Sequence, residues 1–554
     1  MMTPMSRPSA TADGAALPHI VAILADDYGW ANVGYHHASR EVATPSIDAL
    51  KQSGIELTRH YAYKYCSPSR CAFQTGRLPV HVNTRNAEPT VRNPADPVGG
   101  YAGIPVNMTT IAHTLKRAGY STHFTGKWDV GMATWRHTPL GRGYDSFFGY
   151  FHHANDYWTE RLPFQSTGTV DVCRNRYVDL WQDHAPARRF NGTAYEEELF
   201  TNHSLSVLAS HDASTPLFLV HAFHIAHTPL QVPEAYSRKF SFIEYANRRT
   251  YAAMVAYMDM VVGRLRHALD SRGMWARTLL LFASDNGGPI YFPGSASNHP
   301  LKGGKLSDWE GGVRVSALVA GGVLPAHVRG TRLDALVHIA DWYATFAALA
   351  RVNGTSDPEA RAAGLPSIDS VNLVPLLLPS APAEQSSGGA LDGVTLGAVE
   401  GSAQSAKISG RSEIHLSSQA LIQHGEDGRL YKLLVGWQTM SGWVGTTYPN
   451  ASGHQPLPSP QDRYPPRKLG SWAHDCGSGC LYDVANDEAE HQDLSAALPS
   501  LVVRMRGRLN ALNAHLYDPD RGQGDPAACR AAEELYGGFY GPFVPPLSLW
   551  VTDS

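Results

Sequence analysis

No stretch of the chain approaches the roughly 18 apolar residues that a helix needs to cross a bilayer, so the sequence predicts no membrane span. An excess of one charge sign is also missing. Acids and bases are interspersed, charged residues make up 17% of the chain, and the formal net charge is -4. That leaves no electrostatic footprint for nucleic acid, and any anion binding must be local. Cysteine is scarce: six residues are too few for a disulfide scaffold, although Cys476 and Cys480 are close enough in sequence to pair in an oxidising compartment. Residues 1–17 are rich in Ser, Pro, Thr and Ala and read as a flexible segment. They lack the apolar core of a signal peptide, and the run from Ile20 to Ala25 is too short to supply one. Internal repeats are absent as well. In the opposite direction, Asn107, Asn191, Asn202, Asn353 and Asn450 each open an N-x-Ser/Thr sequon, as in a glycosylated secretory protein.

What is present is ordinary globular composition, 43% hydrophobic, on a chain too long for one ordinary domain. Residues 18–379 alternate apolar strands with amphipathic helices, which predicts an α/β domain around a large, mostly parallel sheet. Strands are expected at Ile20 to Ala25, Thr122 to Thr125, Leu217 to Phe223 and Leu279 to Phe282. Thr44-Pro45 reads as the start of a helix that Gly54 ends. Ile111, Leu115 and Ala118 mark one face of a second helix. From Arg249 to Arg272, Met254, Met258, Val261, Leu265 and Leu269 form a stripe that packs on the sheet and closes a βαβ crossover. The Ser/Ala/Pro/Gly-rich residues 380–393 read as a linker or surface loop. Residues 394–554 then form a smaller α+β domain with a small antiparallel sheet, with strands at Tyr431 to Trp437 and Leu481 to Val484 and a helix at Ala497 to Leu512. Pro456 to Pro466 reads as a loop.

Ligands in open α/β sheets sit beyond the carboxyl ends of the strands. Four expected strands end in polar residues: Asp26-Asp27, Lys127 with Asp129, His224 with His227, and Asp285-Asn286. Asp26, Asp27, Asp285 and Asn286 offer oxygen ligands only, which suits one hard cation such as Ca2+ better than zinc. Two-zinc phosphatase chemistry needs several histidines, and Asn286 stands where one would serve. Cys71 reads as a buried structural thiol.

The segment Cys66-Ser67-Pro68-Ser69-Arg70, followed by Thr75-Gly76-Arg77, resembles the signature of the type I, formylglycine-dependent sulfatases. The resemblance extends over nearly the whole chain and is closest to the arylsulfatase B (N-acetylgalactosamine-4-sulfatase) group. It takes in Ala25 to Trp30, Thr125 to Trp128, His227 to Pro233, Asp285 to Gly288, Trp309 to Arg314 and Leu481 to Val484. It implies an alkaline-phosphatase-like sandwich and a sulfuric ester hydrolase of the arylsulfatase type. It further implies oxidation of Cys66 to 3-oxoalanine (formylglycine) by a formylglycine-generating enzyme. Asp26, Asp27, Asp285 and Asn286 would hold Ca2+ together with residue 66, while Arg70, Lys127, His227 and Lys305 would line the sulfate pocket. A hydroxyl of the hydrated aldehyde would attack sulfur, with Lys127 and Lys305 holding the sulfate oxygens and His227 protonating the leaving alcohol. The substrate would be an aryl sulfate or a sulfated glycan such as one containing N-acetylgalactosamine, and the location lysosomal or secreted.

One departure stands out. The family pattern places His two residues after the pocket lysine, and this chain has Asp129 there. A carboxylate can accept a proton from the second hydroxyl, yet it adds negative charge beside sulfate. Asp129 therefore motivates a second reading, a catalytically impaired sulfate-binding relative. A phosphodiesterase or phosphonate hydrolase on the same scaffold is a third. His224 and His299 lie near the same motifs, with substrate contact and structural roles both open.

Overall fold

The computed structural model describes residues 16–36, 41–86, 88–162, 171–291, 293–380, 410–443 and 473–545. Its main sheet has ten strands: β1 (His19–Ala25), β2 (Ile55–Leu57), β3 (Ser121–Lys127), β4 (Ser146–Tyr150), β5 (Trp181–Gln182), β6 (Ala185–Pro186), β7 (Leu217–Ala222), β8 (Thr278–Ser284), β9 (Ala317–Ala320) and β10 (Thr331–Leu333). Across the sheet they run β10-β2-β9-β8-β1-β7-β3-β4-β5-β6. The five central strands β8, β1, β7, β3 and β4 are all parallel. Antiparallel pairs lie towards the two edges.

The near-continuous apolar run of β1 needs cover on both faces, and it has it. Ile20, Ala22 and Leu24 point into one core, with Ile111 and Leu115 of α3 (Ile111–Arg117), Phe73 of α2 (Cys66–Thr75) and Phe346 of α6 (Asp341–Leu349). Val21, Ile23 and Ala25 point into the other. There α5 (Ala246–Ser271) buries the stripe Met254, Met258, Val261, Leu265 and Leu269. The unit β7-α5-β8 is the crossover read from sequence, but β1 lies between its two strands. A further helix, α4 (Glu196–Ser210), packs against α5.

Two local expectations change. The first helix, α1 (Pro45–Gln52), ends on Ser53, one residue before Gly54. Gly54 is needed for a different reason: a Cβ there would meet the Val319 carbonyl oxygen of β9 at 2.1 Å. Strand β3 runs on past Thr125 to Lys127, so the lysine is part of the strand tip.

The C-terminal part supplies a four-stranded antiparallel sheet of β11 (Glu413–Ser417), β12 (Ala420–His424), β13 (Leu430–Leu434) and β14 (Cys480–Asp483). Leu421, Leu433 and Leu481 meet Val502, Met505 and Leu509 of α7 (Pro499–Asn513) on one face. Ile414, Ile422 and Leu434 meet Tyr61, Leu78 and Trp309 of the main unit on the other. Between the two units Lys432 is fully buried, 3.0 Å from both Glu310 Oε1 and Glu490 Oε1.

The tail departs from the expected 394–554 unit and returns to the main one. Gln523–Gly524 pairs with Val91–Arg92, Cys529 is disulfide-bonded to Cys173, and Ala528, Ala532, Tyr540 and Phe543 join the core beneath α2 and α3. Apolar burial and a covalent tie therefore override order along the chain. Cys476 and Cys480 form the second disulfide. Residues 381–393, Pro456 to Pro466 and Asn450 lie outside the described residues, as do residues 1–15.

Candidate active site

Parallel strands bring their carboxyl ends to one edge, and the residues just beyond them meet there. β1 runs into Asp26 and Asp27, β8 into Asp285 and Asn286, β3 ends on Lys127, and β7 leads to His224 and His227. Over this edge sits α2, which begins at Cys66 itself with Tyr65 as its N-cap. Unsatisfied N–H groups and the helix dipole favour an anion at that end. Arg70 follows one turn later on the same face. The Thr75-Gly76-Arg77 segment secures the opposite end of the helix. Gly76 takes the left-handed C-cap conformation at φ +68°, and Arg77 is fully buried with Nη2 2.9 Å from Asp357 Oδ2.

The thiol of Cys66, itself fully buried, lies 3.3 Å from Asp26 Oδ1 and 3.4 Å from Lys305 Nζ. Lys127 Nζ donates to Asp26 Oδ2 at 2.5 Å. Arg70 Nε donates to Asp285 Oδ2 at 2.8 Å, and its Nη1 donates to the Lys127 carbonyl at 2.8 Å. Lys305 Nζ lies 2.7 and 2.9 Å from the two Asp27 oxygens. Three cations thus face three buried carboxylates. Burial drives Asp26 and Asp285 above the usual carboxylate range, against the pull of Lys127 and Arg70. Burial likewise works against the charge on Lys127 and Lys305, but the facing Asp26 and Asp27 keep both pKa values high. The Cys66 thiol is pushed well up, by burial first and by Asp26 second.

The chemistry of the donor set fits a hard cation. Ligand atoms of Asp26, Asp27, Cys66 and His227 all lie within 4.8 Å of one another. Asn286 Nδ2 donates to Asp27 Oδ1 at 2.7 Å, while Asn286 Oδ1 is buried without a hydrogen-bond partner. An unsatisfied buried carbonyl oxygen beside three carboxylates is a place for a divalent cation with oxygen preference. His227 enters this cluster, whereas Asp285 has one oxygen on Arg70 and the other 3.4 Å from the Asp27 N–H.

The other predicted residues separate cleanly. His227 Nδ1 lies 2.6 Å from the Thr228 carbonyl, which fixes the proton there and leaves Nε2, 3.7 Å from Asp27 Oδ2, as an acceptor. Burial, with Lys305 and Lys127 nearby, holds its pKa well below the usual histidine value. His224 stays behind the site: it is fully buried, its Nδ1 is 2.9 Å from Glu196 Oε2, and its ring stacks on Tyr157 at 4.0 Å. His299 is half-buried and outside the ligand cluster. Cys71 is a buried thiol whose pKa burial pushes up to about 12.

Asp129 is buried with φ +54°, and its Oδ1 accepts from Ser67 Oγ at 2.7 Å. Its second partner is His153 Nδ1 at 2.8 Å, a residue the sequence reading passed over. The cue was a fifth apolar strand, Phe147-Phe148-Gly149-Tyr150, running into His152-His153. It was hidden because nothing in the sequence says that β4 lies beside β3.

Residues 18–352 match the protein-family model described as Sulfatase. Over 551 residues the chain is 31% identical to arylsulfatase J of Mus musculus, covering 97% of this chain and 82% of that protein. It is also 31% identical over 369 residues to N-acetylgalactosamine-6-sulfatase of Mus musculus, covering 65% of this chain and 66% of the relative. Among solved structures, Ps i-CgsB in complex with k-i-k-neocarrahexaose superposes with a TM-score of 0.64 at 24% identity, over 93% of this chain and 97% of that one. The phosphonate monoester hydrolase of Agrobacterium radiobacter does so with a TM-score of 0.51 at 17% identity, over 90% and 96%. Both structural likenesses show a shared fold.

Proposed function

The chain belongs to the sulfatase family and is a sulfuric ester hydrolase, and from that premise we propose that its chemistry runs at Cys66 in oxidised form, beside one Ca2+, on sulfated glycans. The observation that carries this reading is the convergence of Arg70, Lys127, Lys305 and His227 on a helix N-terminus that starts at Cys66. As a thiol, residue 66 is a poor nucleophile, because burial and Asp26 hold it protonated. Oxidation to 3-oxoalanine by a formylglycine-generating enzyme would supply a hydrated carbonyl, and Ca2+ held by Asp26, Asp27, Asp285 and Asn286 would add positive charge at the sulfate oxygens.

The chain's own residues account for the rest. Lys305 presents its ammonium group to position 66 directly and Lys127 through Asp26, where negative charge would grow on the sulfate oxygens. Arg70 is locked by Asp285 and the Lys127 carbonyl, so its guanidinium needs no reorganisation during the reaction. His227 Nε2 takes up a proton as the anionic ester enters and delivers it to the leaving alcohol oxygen. Ser67 and Asp129 stand beside position 66 as a hydroxyl and carboxylate able to pass on the proton of a second hydroxyl. A sulfated N-acetylgalactosamine glycan is the proposed natural substrate, supported by the name of one relative. The two disulfides and the sequons support passage through an oxidising secretory compartment, and so a lysosomal or secreted enzyme.

The test joins mass spectrometry of the tryptic peptide spanning position 66 to turnover of nitrophenyl sulfate and nitrophenyl phosphate. An aldehyde at 66 with sulfate turnover is the expected result. An unmodified thiol in protein from the natural host would support the silent relative that Asp129 suggests. Preference for the phosphate ester would support the phosphohydrolase reading.

A further inference from the structure

Position 129 holds a carboxylate beside a site that must accept an anion, and the structure shows what offsets it. Strands β3 and β4 are parallel neighbours, with Gly126 opposite Gly149 and Lys127 opposite Tyr150. The chain leaving one tip reaches Asp129 just as the chain leaving the other reaches His153. Their side chains meet at 2.8 Å, Nδ1 to Oδ1, and both are buried. His153 Nε2 faces Glu88 Oε1 at 3.5 Å, and Nδ1 lies 3.5 Å from Ser67 Oγ. Asp129 Oδ2 makes no hydrogen bond and lies 3.8 Å from Lys127 Nζ, itself bound to Asp26.

Charge counting shows what this achieves. Among the side chains Arg70, Lys127 and Lys305 balance Asp26, Asp27 and Asp285, so Asp129 alone would add one uncompensated negative charge and would draw Lys127 away from sulfate. A cation placed on Asp129 removes both problems without occupying the pocket. We propose that His153 is a positioning residue, the standing counter-cation of Asp129, and that the two act as one unit that orients Ser67 beside position 66 and keeps Asp129 from adding negative charge to the sulfate pocket. The proposal rests on the sulfatase reading of the site. Burial opposes charge on both partners, but their attraction prevails: His153 is held up to about 10 and Asp129 down to about 2. The short contact and the direction of both shifts favour the ionic form of the pair.

A charge cycle tests this on the full chain with calcium present. In a Cys66→Ala background, the dissociation constant for inorganic sulfate is measured by calorimetry for the parent, for His153→Gln and for Asp129→Asn/His153→Gln. Loss of the cation alone is expected to weaken sulfate about tenfold to a hundredfold. Removing both charges should bring affinity back to within a few-fold of the parent. In the mature enzyme His153→Gln should raise KM through the same repulsion, whereas the double variant should regain KM and keep a reduced kcat, having lost the carboxylate next to Ser67. A brace without electrostatic function would leave the double variant at least as weak as the single one, and that result overturns the proposal, as does sulfate affinity in His153→Gln within twofold of the parent. Thermal melts check that each variant folds. Nitrogen-15 NMR of histidine in the unmutated protein gives a readout independent of mutation: His153 should carry protons on both ring nitrogens at pH 8, and a neutral ring there refutes the ion pair. If the parent binds no sulfate and the mature enzyme turns over no sulfate ester, the sulfatase reading fails, and the NMR signature alone then decides on the pair.

Discussion

Replacing Lys305 with Met removes one of the three cations that balance the buried carboxylates while keeping most of the side-chain volume. Its Nζ holds both oxygens of Asp27 at 2.7 and 2.9 Å and is itself buried. Breaking a buried pair by deleting one partner costs about 3–5 kcal/mol. Unfolding entropy of about 2.1 cal/mol/K per residue, over 554 residues, converts that loss into a fall of about 3–4 °C in melting temperature. The fall should appear in chelator. In saturating calcium, a divalent ion bound at the proposed set Asp26, Asp27, Asp285 and Asn286 would replace the missing charge, so calcium should raise the melting temperature of the variant by more than that of the parent. Turnover should remain about 10²–10³-fold lower even then, because on the proposed mechanism a preorganised charge facing the sulfate oxygens would be gone. Scanning fluorimetry in chelator, calcium and magnesium, with nitrophenyl sulfate turnover alongside, covers both arms. Adding Asp27→Asn should restore stability in chelator and abolish the extra response to calcium. If the single variant melts with the parent in chelator, or calcium shifts both equally, the balance of charges described here is wrong.

Three further outcomes follow from features away from the site. Lys432→Met strands Glu310 and Glu490 as buried carboxylates between the two units, and should cost about 3–5 kcal/mol, read by urea titration with intrinsic tryptophan fluorescence. His60 accepts from Trp342 Nε1 at 3.0 Å, and burial pushes its pKa down to about 3. The folded value lies below the unfolded one, so this contribution is whole above about pH 6.5 and is lost as pH falls towards 3. The loss reaches about 2 kcal/mol by pH 5, and His60→Asn should flatten that part of a stability-versus-pH curve. Replacing both Cys173 and Cys529 by Ser frees the tail that returns to the main core. A loss of about 2–5 kcal/mol is expected, with proteolysis of residues 523–543 preceding that of the main sheet.

The parts of this molecule legible in the sequence are those whose signal is local. β1 and β8 are short apolar runs ending in acids, and the stripe on α5 has helical spacing, so both the strand tips and the packing face could be read directly. The four tips converge because parallel strands share one carboxyl edge, a rule that needs no pairing register. His153 required the register: its partner lies 24 residues earlier, and only the lateral order β3-β4 makes them neighbours. The tail was misplaced for a similar reason. Its tie to Cys173 spans 356 residues, and nothing in either flanking sequence points to the other. Asp129 was legible as a departure, but its consequence depended on a residue from another strand.

Cys66 is wholly enclosed in the finished fold, next to Asp26, just beyond β1, and Lys305, which follows β8. If Cys66 is oxidised by a separate enzyme as proposed, its burial would put the thiol out of that enzyme's reach once the sheet has assembled. The opportunity would then lie while the chain is still being extruded, when residue 66 has emerged but the segment carrying Lys305 has not. Slow synthesis or delayed folding of the second half would lengthen that interval, so the fraction of chains carrying the altered residue should report on the order of assembly as much as on the modifying enzyme.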